Sequence, residues 1–300
     1  MSLWRKAGRV IVWGVVLFLL WIFAVWPPPV WFRSHYPNES AFMRMRRGQA
    51  DSSTPERRYR PIPLDSIAKA VPRAVTIGED DDFWNHDGID YRSLRHALGY
   101  KRDSFSWSSP RDRKDLMAVL GRAWERREAL RGASTITQQL AKNLYLSPSR
   151  NPLRKLKEAV TAYRLETALG KERILELYLN LVELGDEVWG VEAASQKYFH
   201  RPARQLSIEQ AAALAGALPF PLSSNPGYRP GRMRWRQNLI LRRMRGENVE
   251  VPKVETEVVL PVVPDTGALI PEEPVPLDTV PAPLPFDSVI TPPDSSIHQP

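Results

Sequence analysis

Between Gly132 and Asn180 the chain is punctuated so closely that little besides helix fits there. Ser134 or Thr135 can cap a helix, and Thr135-x-x-Gln138 is a capping-box pattern, in which hydroxyl and amide each satisfy the other residue's backbone N–H. That helix ends before Pro148. A second runs from about Pro152 to Leu169, with Leu156, Val160 and Tyr163 predicted on its buried face and Gly170 as its stop. A third covers Glu172 to Leu184, stopped by Gly185, and Trp189 to Phe199 reads as a fourth. Ser207-x-x-Gln210 caps a fifth, Ala-rich helix ending at Pro219, and Arg232 to Arg245 forms a last, very basic one. Little alternates with the period of two that a half-buried strand needs, so the domain is predicted to be mainly α.

Upstream the signals are weaker. Pro63 to Arg73 reads as a short helix capped by Asp65 or Ser66, and Ala74 to Gly78 as a short extended piece leading into Glu79. Asp90 is a good N-cap for a helix from Tyr91 to about Leu98. Gly99 to Leu130 is polar and irregular, then strongly charged. Its first half is expected to be mobile; its second half suits a helix with Leu116, Val119, Leu120 and Trp124 on one face.

The ends differ from the middle. Val10 to Trp26 is an unbroken apolar run of seventeen residues, preceded by Arg5, Lys6 and Arg9. It sits at the short end of a membrane span; Leu3-Trp4 lengthens it if Arg9 snorkels. No small-x-small cleavage site follows, only Trp26-Pro27-Pro28-Pro29, so an uncleaved anchor is expected rather than a signal peptide. The basic flank puts the N-terminus in the cytoplasm and the remainder across the membrane. The expected order is a basic flank and transmembrane anchor (1–28), a juxtamembrane connector (29–62) whose Arg44, Arg46 and Arg47 face anionic head groups, one domain (63–246), and a disordered, partly polyproline II tail (247–300).

Charge follows the same partition. From Glu247 onward ten acidic residues stand against one lysine, a net of −9, so residues 1–246 carry +17 of the chain's overall +8. A body that basic prefers anionic partners: nucleic acid, phospholipid head groups or phosphorylated substrates. With no cysteine, disulfides, thiolate catalysis and Cys-held metals are excluded.

Two stretches can carry chemistry. Glu79-Asp80-Asp81-Asp82 opens an acidic run that ends near His86. Its bland reading is a solvated turn, or a hard-cation site from Asp80 to Asp82. Its functional reading is one carboxylate in a cleft, tuned to take a proton from an alcohol, with Phe83 and Trp84 as an apolar wall. On the helix after Thr135, Gln139, Lys142 and Asn143 lie three and four apart and share a face. Arg150, Arg154, Lys155 and Lys157 then surround Glu158. A plain i,i+4 ion pair explains Arg154 with Glu158, whereas these cations together beside a polar turn also make a cradle for a pyrophosphate.

Four ordered motifs carry a resemblance: Glu-Asp-x-x-Phe-x-x-His-x-Gly from Glu79, Gly-x-Ser-Thr-Ile-Thr-Gln-Gln from Gly132, Arg-Lys-x-x-Glu from Arg154, and Ile-Leu-Glu-x-Tyr-Leu-Asn from Ile174. Over about residues 65–245 the chain resembles the family 51 peptidoglycan glycosyltransferases, and with an anchor and little else it is most similar to the monofunctional ones. The resemblance implies a mainly helical, lysozyme-like glycosyltransferase domain with a second lobe partly sunk in the membrane, here behind a single N-terminal transmembrane helix. It implies polymerisation of lipid II into β-1,4-linked glycan strands with inversion and release of undecaprenyl pyrophosphate. Glu79 would be the general base, and Glu158 the second essential glutamate, organising the leaving-group site. Lys142 and Arg150 would hold the donor pyrophosphate with Lys157 close by, and Ser134, Gln138, Gln139 and Asn143 would line the cleft. A divalent cation, Mg²⁺ or Mn²⁺, is implied with the substrate pyrophosphate, with no dedicated all-protein site. The implied partners are lipid II, the growing glycan chain, membrane lipids and other cell-wall synthases, not nucleic acid, and the implied place is the cytoplasmic (inner) membrane with the catalytic domain outside.

Two features depart from the family pattern: the length of residues 99–130, and Glu187, where glycine is usual and a positive φ would strain any other residue. Ser66-Ile-Ala-Lys69 and Ser223-Ser224-Asn225 imitate transpeptidase motifs, but no Lys-Thr-Gly follows. A lytic muramidase would have no use for the cations. A catalytically silent membrane-anchored scaffold of the cell-wall machinery is the non-enzyme alternative, and the intact glutamate pair argues against it.

Overall fold

The computed structural model describes residues 2–50, 52, 54–98, 106–122, 134–146 and 152–254. Arg150, Trp124, the stretch 99–105 and the tail from residue 255 lie outside the described residues.

Helix α1 (Ser2–Phe23) is followed by a 3-10 turn (Pro29–Arg33), α2 (Ala41–Gln49) and a short strand β1 (Arg58–Tyr59). Then come α3 (Ala70–Glu79), α4 (Tyr91–Leu98), α5 (Pro110–Arg122), α6 (Ile136–Tyr145), α7 (Pro152–Leu169) and α8 (Lys171–Leu181). The hairpin β2 (Glu183–Gly185) and β3 (Val188–Trp189) leads to α9 (Val191–Phe199), α10 (Ile208–Ala217) and α11 (Gly231–Met244). The chain is mainly helical, as expected.

Two helix clusters frame the site. In one, α10 packs against both α11 and α3; in the other, α6 packs against α7 and α8. The α10–α11 crossing is close because of Gly216: a Cβ there would lie 2.7 Å from the Met233 carbonyl oxygen and 3.0 Å from the Gln237 nitrogen, both backbone atoms that cannot swing aside. We expect Gly216→Ala to force α11 outward and to cost about 1–3 kcal/mol, read as a lower midpoint in thermal or urea unfolding. An unchanged midpoint would show that α11 yields freely.

Where local signals were strong, the structure follows them. Thr135 and Gln138 form the capping box of α6, and Ser207 and Gln210 that of α10. Asp90 accepts from the Ser93 N–H at the start of α4. Helix α7 spans the expected residues, but its buried face is Glu158, Thr161, Ala162 and Leu165, while Leu156 and Tyr163 are exposed. The period was legible; the phase was not, because the inward row carries a glutamate and a threonine.

Other expectations are corrected. Ala74 to Gly78 is helical, not extended: α3 begins at Ala70 and puts Val71, Ala74 and Val75 inward. Pro72 is tolerated in the first turn, where its missing N–H has no helical acceptor to lose. Helix α8 stops at Leu181 rather than Leu184, and Trp189 belongs to a strand rather than to the next helix. Strand β3 lies between β1, parallel, and β2, antiparallel. Glu187, at the hairpin turn, has φ 51°, so its backbone takes the left-handed conformation that glycine would adopt with less strain, as anticipated. Its carboxylate accepts from Arg57 Nε (3.3 Å) and its carbonyl from the Arg58 N–H (2.8 Å), which ties the turn to β1.

Residues 29–62 are more than a connector. Phe32, Phe42 and Met43 sit in the hydrophobic core, and Arg46 forms a two-point ion pair with buried Glu183 (2.9 and 3.0 Å). Arg46 therefore faces a carboxylate, not a head group. Burial still leaves the Glu183 carboxyl above its ordinary range, against the pull of Arg46.

Among the described residues no helix is long and apolar enough to cross a membrane. The apolar part of α1, Val10 to Phe23, rises about 21 Å at ~1.5 Å per residue, against a hydrocarbon core of about 30 Å. Its last turn is fastened to α7: Lys157 Nζ donates to the Trp21 carbonyl (2.7 Å) and Arg164 Nη1 to that of Phe23 (2.6 Å), cations on carbonyls that a helix end leaves unpaired.

Candidate active site

Glu79 is the last residue of α3 and its side chain faces inward, 4% exposed. A carboxylate so buried needs a cation and hydrogen bonds. The cation is Arg236, fully buried on α11, whose Nη2 lies 3.0 Å from Glu79 Oε1 and also donates to the Gly78 carbonyl. From the other cluster, Gln139 Nε2 donates to Glu79 Oε2 at 3.0 Å. The amide is oriented in turn by Tyr178 of α8, whose hydroxyl donates to Gln139 Oε1 at 2.7 Å. Complete burial, reinforced by the nearby Glu79 charge, pushes the Tyr178 hydroxyl well above its ordinary pKa, so it stays a donor. Each Glu79 oxygen thus has one fixed donor and keeps a lone pair for another.

The rest of the acidic run is occupied. Asp80 is fully buried; His86 Nε2 lies 3.1 Å from both its oxygens, and the Ile136 N–H at the start of α6 donates to Oδ2 at 2.9 Å. Asp80 therefore joins the two clusters and sets the distance between Glu79 and the Gln139 helix. Asp81 pairs with Arg243 (2.8 Å) and Asp82 accepts from Asn85 (2.7 Å). Thr135 Oγ1 donates to the Gly88 carbonyl at 2.7 Å, where φ is 88° and a Cβ would meet the Ala162 backbone at 3.2 Å; the glycine allows this close approach.

Glu158, on the inward row of α7, is 2% exposed. Arg154 Nη1 donates to its Oε2 at 2.7 Å, Lys155 Nζ donates to Oε1, and the same ammonium donates to Ser134 Oγ at 2.8 Å. Arg154 Nε is buried with no partner among the described residues, an N–H still available to an oxygen ligand. This is not the solvated surface pair that i,i+4 spacing alone allows.

Of the sequence-predicted residues, Glu79 and Gln139 meet in one place, and Ser134 and Glu158 meet in another on neighbouring elements. Gln138 caps α6 with its Oε1, accepting from the Thr135 N–H at 3.1 Å. Asn143 is nearly buried one turn after Gln139, and Lys142 lies 5.5 Å above the Phe42 ring. Lys157 is not brought to the Glu158 cluster: it lies 4.8 Å over the Trp21 ring, and burial together with Arg164 holds its ammonium below the ordinary lysine range. Arg236 and Tyr178 were missed as site residues. Arg236 had a signal: it falls three after Met233 and four before Ile240, on the buried face of an amphipathic helix.

The described residues contain no group of three carboxylate or imidazole side chains able to hold a metal ion. Asp80, Asp81, Asp82 and Glu158 already face cations or N–H donors, so a dedicated cation cage does not fit these side chains.

A family model described as Transglycosylase matches residues 103–245. The biosynthetic peptidoglycan transglycosylase of Azoarcus sp. (strain BH72) is 37% identical over 246 residues, covering 78% of this chain and 97% of that protein. The chain belongs to the biosynthetic peptidoglycan transglycosylase family. A relative of the same description from Bordetella pertussis is 39% identical over 240 residues (79% of this chain, 89% of the relative), and one from Acinetobacter baylyi 34% over 240 (80% and 95%). An aligned share of 78% cannot fit after Glu79, so it takes in that residue. The chain is a glycosyltransferase, and the scaffold alternative is set aside.

Proposed function

We propose that this glycosyltransferase joins lipid II units into β-1,4-linked glycan strands, with Glu79 as the base. The observation that supports it is the buried carboxylate of Glu79, fixed by Arg236 and by Gln139 of α6, the helix that packs on α7, where a second buried glutamate is held by Arg154 and Lys155. In the step envisaged, the acceptor's 4-hydroxyl oxygen forms a bond to the donor's anomeric carbon and its proton passes to Glu79. The bond from that carbon to the pyrophosphate oxygen breaks, and the electron pair leaves with undecaprenyl pyrophosphate. The leaving group is already activated, so a positioned base and charge stabilisation suffice. Arg154 and Lys155, with Lys142 and Arg150, would hold the pyrophosphate, and Glu158 would keep the first two in place; Ser134, Gln138 and Asn143 would shape the cleft. Any divalent cation would arrive with the pyrophosphate oxygens.

The substrate's lipid suits the surface. Trp26 is 85% exposed, and Val30, Trp31, Leu153, Leu156 and Tyr163 continue an apolar face from α1, the 3-10 turn and α7, all neighbours in the fold. We place this face against the cytoplasmic membrane, with α1 as anchor and the domain outside. The domain limits, the acidic tail and contacts with other cell-wall synthases belong to the same reading.

Incubating the detergent-solubilised protein with lipid II and Mg²⁺ tests it. Muramidase-sensitive strands, with one undecaprenyl pyrophosphate released per bond, are expected; release of the lipid without strands would refute polymerisation. Within the same assay, Tyr178→Phe leaves the Gln139 amide free to turn its oxygen toward Glu79. It should lower kcat about tenfold at constant KM, since a misplacement of about 1 Å can cost up to ~10²-fold. A wild-type kcat would remove Tyr178 from the site.

A further inference from the structure

The chain does not leave the domain at the end of α11. Gly246 turns it with φ 91°, and Glu247 roots the turn, its carboxylate accepting from Arg242 Nε at 2.6 Å. The segment that follows runs back over the first helix cluster. Val251 packs, partly buried, against the core, and the Pro252 carbonyl accepts from Arg236 Nη1. Lys253 approaches α4: burial raises the Asp90 carboxyl, but the Ser93 hydrogen bonds and the Lys253 and His86 charges outweigh it. The family-model match ends at residue 245, so this segment lies beyond it.

We propose that residues 247–254 form a strap that positions the base, the Pro252 carbonyl holding Arg236 in the orientation that fixes Glu79. The inference rests on the function proposed above and adds a positioning element to the same site. A guanidinium is a planar fork. Here one arm serves the Gly78 carbonyl and Glu79 Oε1, and the other serves Pro252, while Nε has no partner. With the second arm released, the fork has acceptors on one side only, water reaches the ion pair, and the attraction holding Glu79 weakens with the rising local dielectric. No side chain in the strap touches Glu79; it acts through Arg236. Simple capping of α11 would leave the ionisation of the base untouched, and this difference makes the strap testable.

The test uses the full chain carrying Val251→Asp, which places a charge where the strap meets the core, beside Glu250→Ala at an exposed strap position as control. For Val251→Asp we expect kcat for lipid II polymerisation to fall about tenfold with KM unchanged. The acid limb of the rate profile should move up, because a cation held less firmly and reached by water favours the charged carboxylate less. Amide hydrogen exchange should quicken across residues 74–80 and 233–240, and Glu250→Ala should match the wild type in all three. Unchanged exchange over 74–80, or an unmoved acid limb, would overturn the strap. If the wild type made no glycan, the function reading would fall. The exchange comparison alone would then uphold or overturn the strap's hold on the Glu79 segment.

Discussion

Glu79→Gln should lower lipid II polymerisation by about 10²–10⁴, the usual cost of losing one positioned base. The substitution keeps size and shape, so the loss is chemical rather than steric. Its amide oxygen can still accept from Arg236, which lies 3.0 Å away. Its amide nitrogen then faces the Nε2 of Gln139, donor against donor, and Gln139 cannot turn over without breaking its bond from Tyr178. A stability loss of about 1–3 kcal/mol is therefore expected beside the catalytic one, from one buried polar contact left unmade. Activity should fall much further than folding does, and the folded fraction, measured by circular dichroism at the assay temperature, separates the two. A variant that is folded and retains a tenth or more of wild-type activity would move the base elsewhere.

Arg236→Ala should be the most damaging single change to the fold of the site. It leaves a carboxylate 4% exposed without its cation and removes the shared donor of the Gly78 and Pro252 carbonyls. Removing one partner of a buried pair costs about 3–5 kcal/mol, because the other charge stays behind unpaired. Equilibrium urea unfolding measures this as a lower midpoint at unchanged slope. Arg236→Lys should recover only part of the loss, since an ammonium is a point charge that cannot reproduce a planar fork toward three acceptors. An Arg236→Ala midpoint within experimental error of the wild type would show that Glu79 is not held by this cation.

Much of this site could be read from residue order, for a physical reason. Helix ends are fixed by local chemistry: Thr135 with Gln138, Ser207 with Gln210, and Gly170, whose φ of 77° few other residues accept. The candidate site was legible where one residue type has no cheap structural use at its position, as for the buried Glu79 and for Arg154 and Lys155 beside Glu158. What escaped depends on contacts distant in sequence. Arg236 looked like one more cation in a basic helix, although its spacing from Met233 and Ile240 placed it inward. The inward row of α7 was mistaken because its polar members are buried: Glu158 is paired by Arg154 and Lys155 of the same helix, and Thr161 lies inward beside it. Strands of two and three residues are too short to show a period, and Arg46 and Arg57 concealed that their stretch belongs to the core, since the carboxylates that meet them lie some 130 residues away in sequence. Lys157 was assigned by proximity along the chain, but one step along a helix turns a side chain by about 100°, away from Glu158 and toward α1.

The most direct test of the base is the pH dependence of kcat/KM for lipid II polymerisation, measured for wild type and Glu79→Gln over the same range. With Glu79 as the base, wild-type activity falls on the acid side through a single ionisation, and the small residual rate of Glu79→Gln shows no such fall. An acid limb that persists in Glu79→Gln with the wild-type midpoint would contradict the account, since the proton would then be taken by another group.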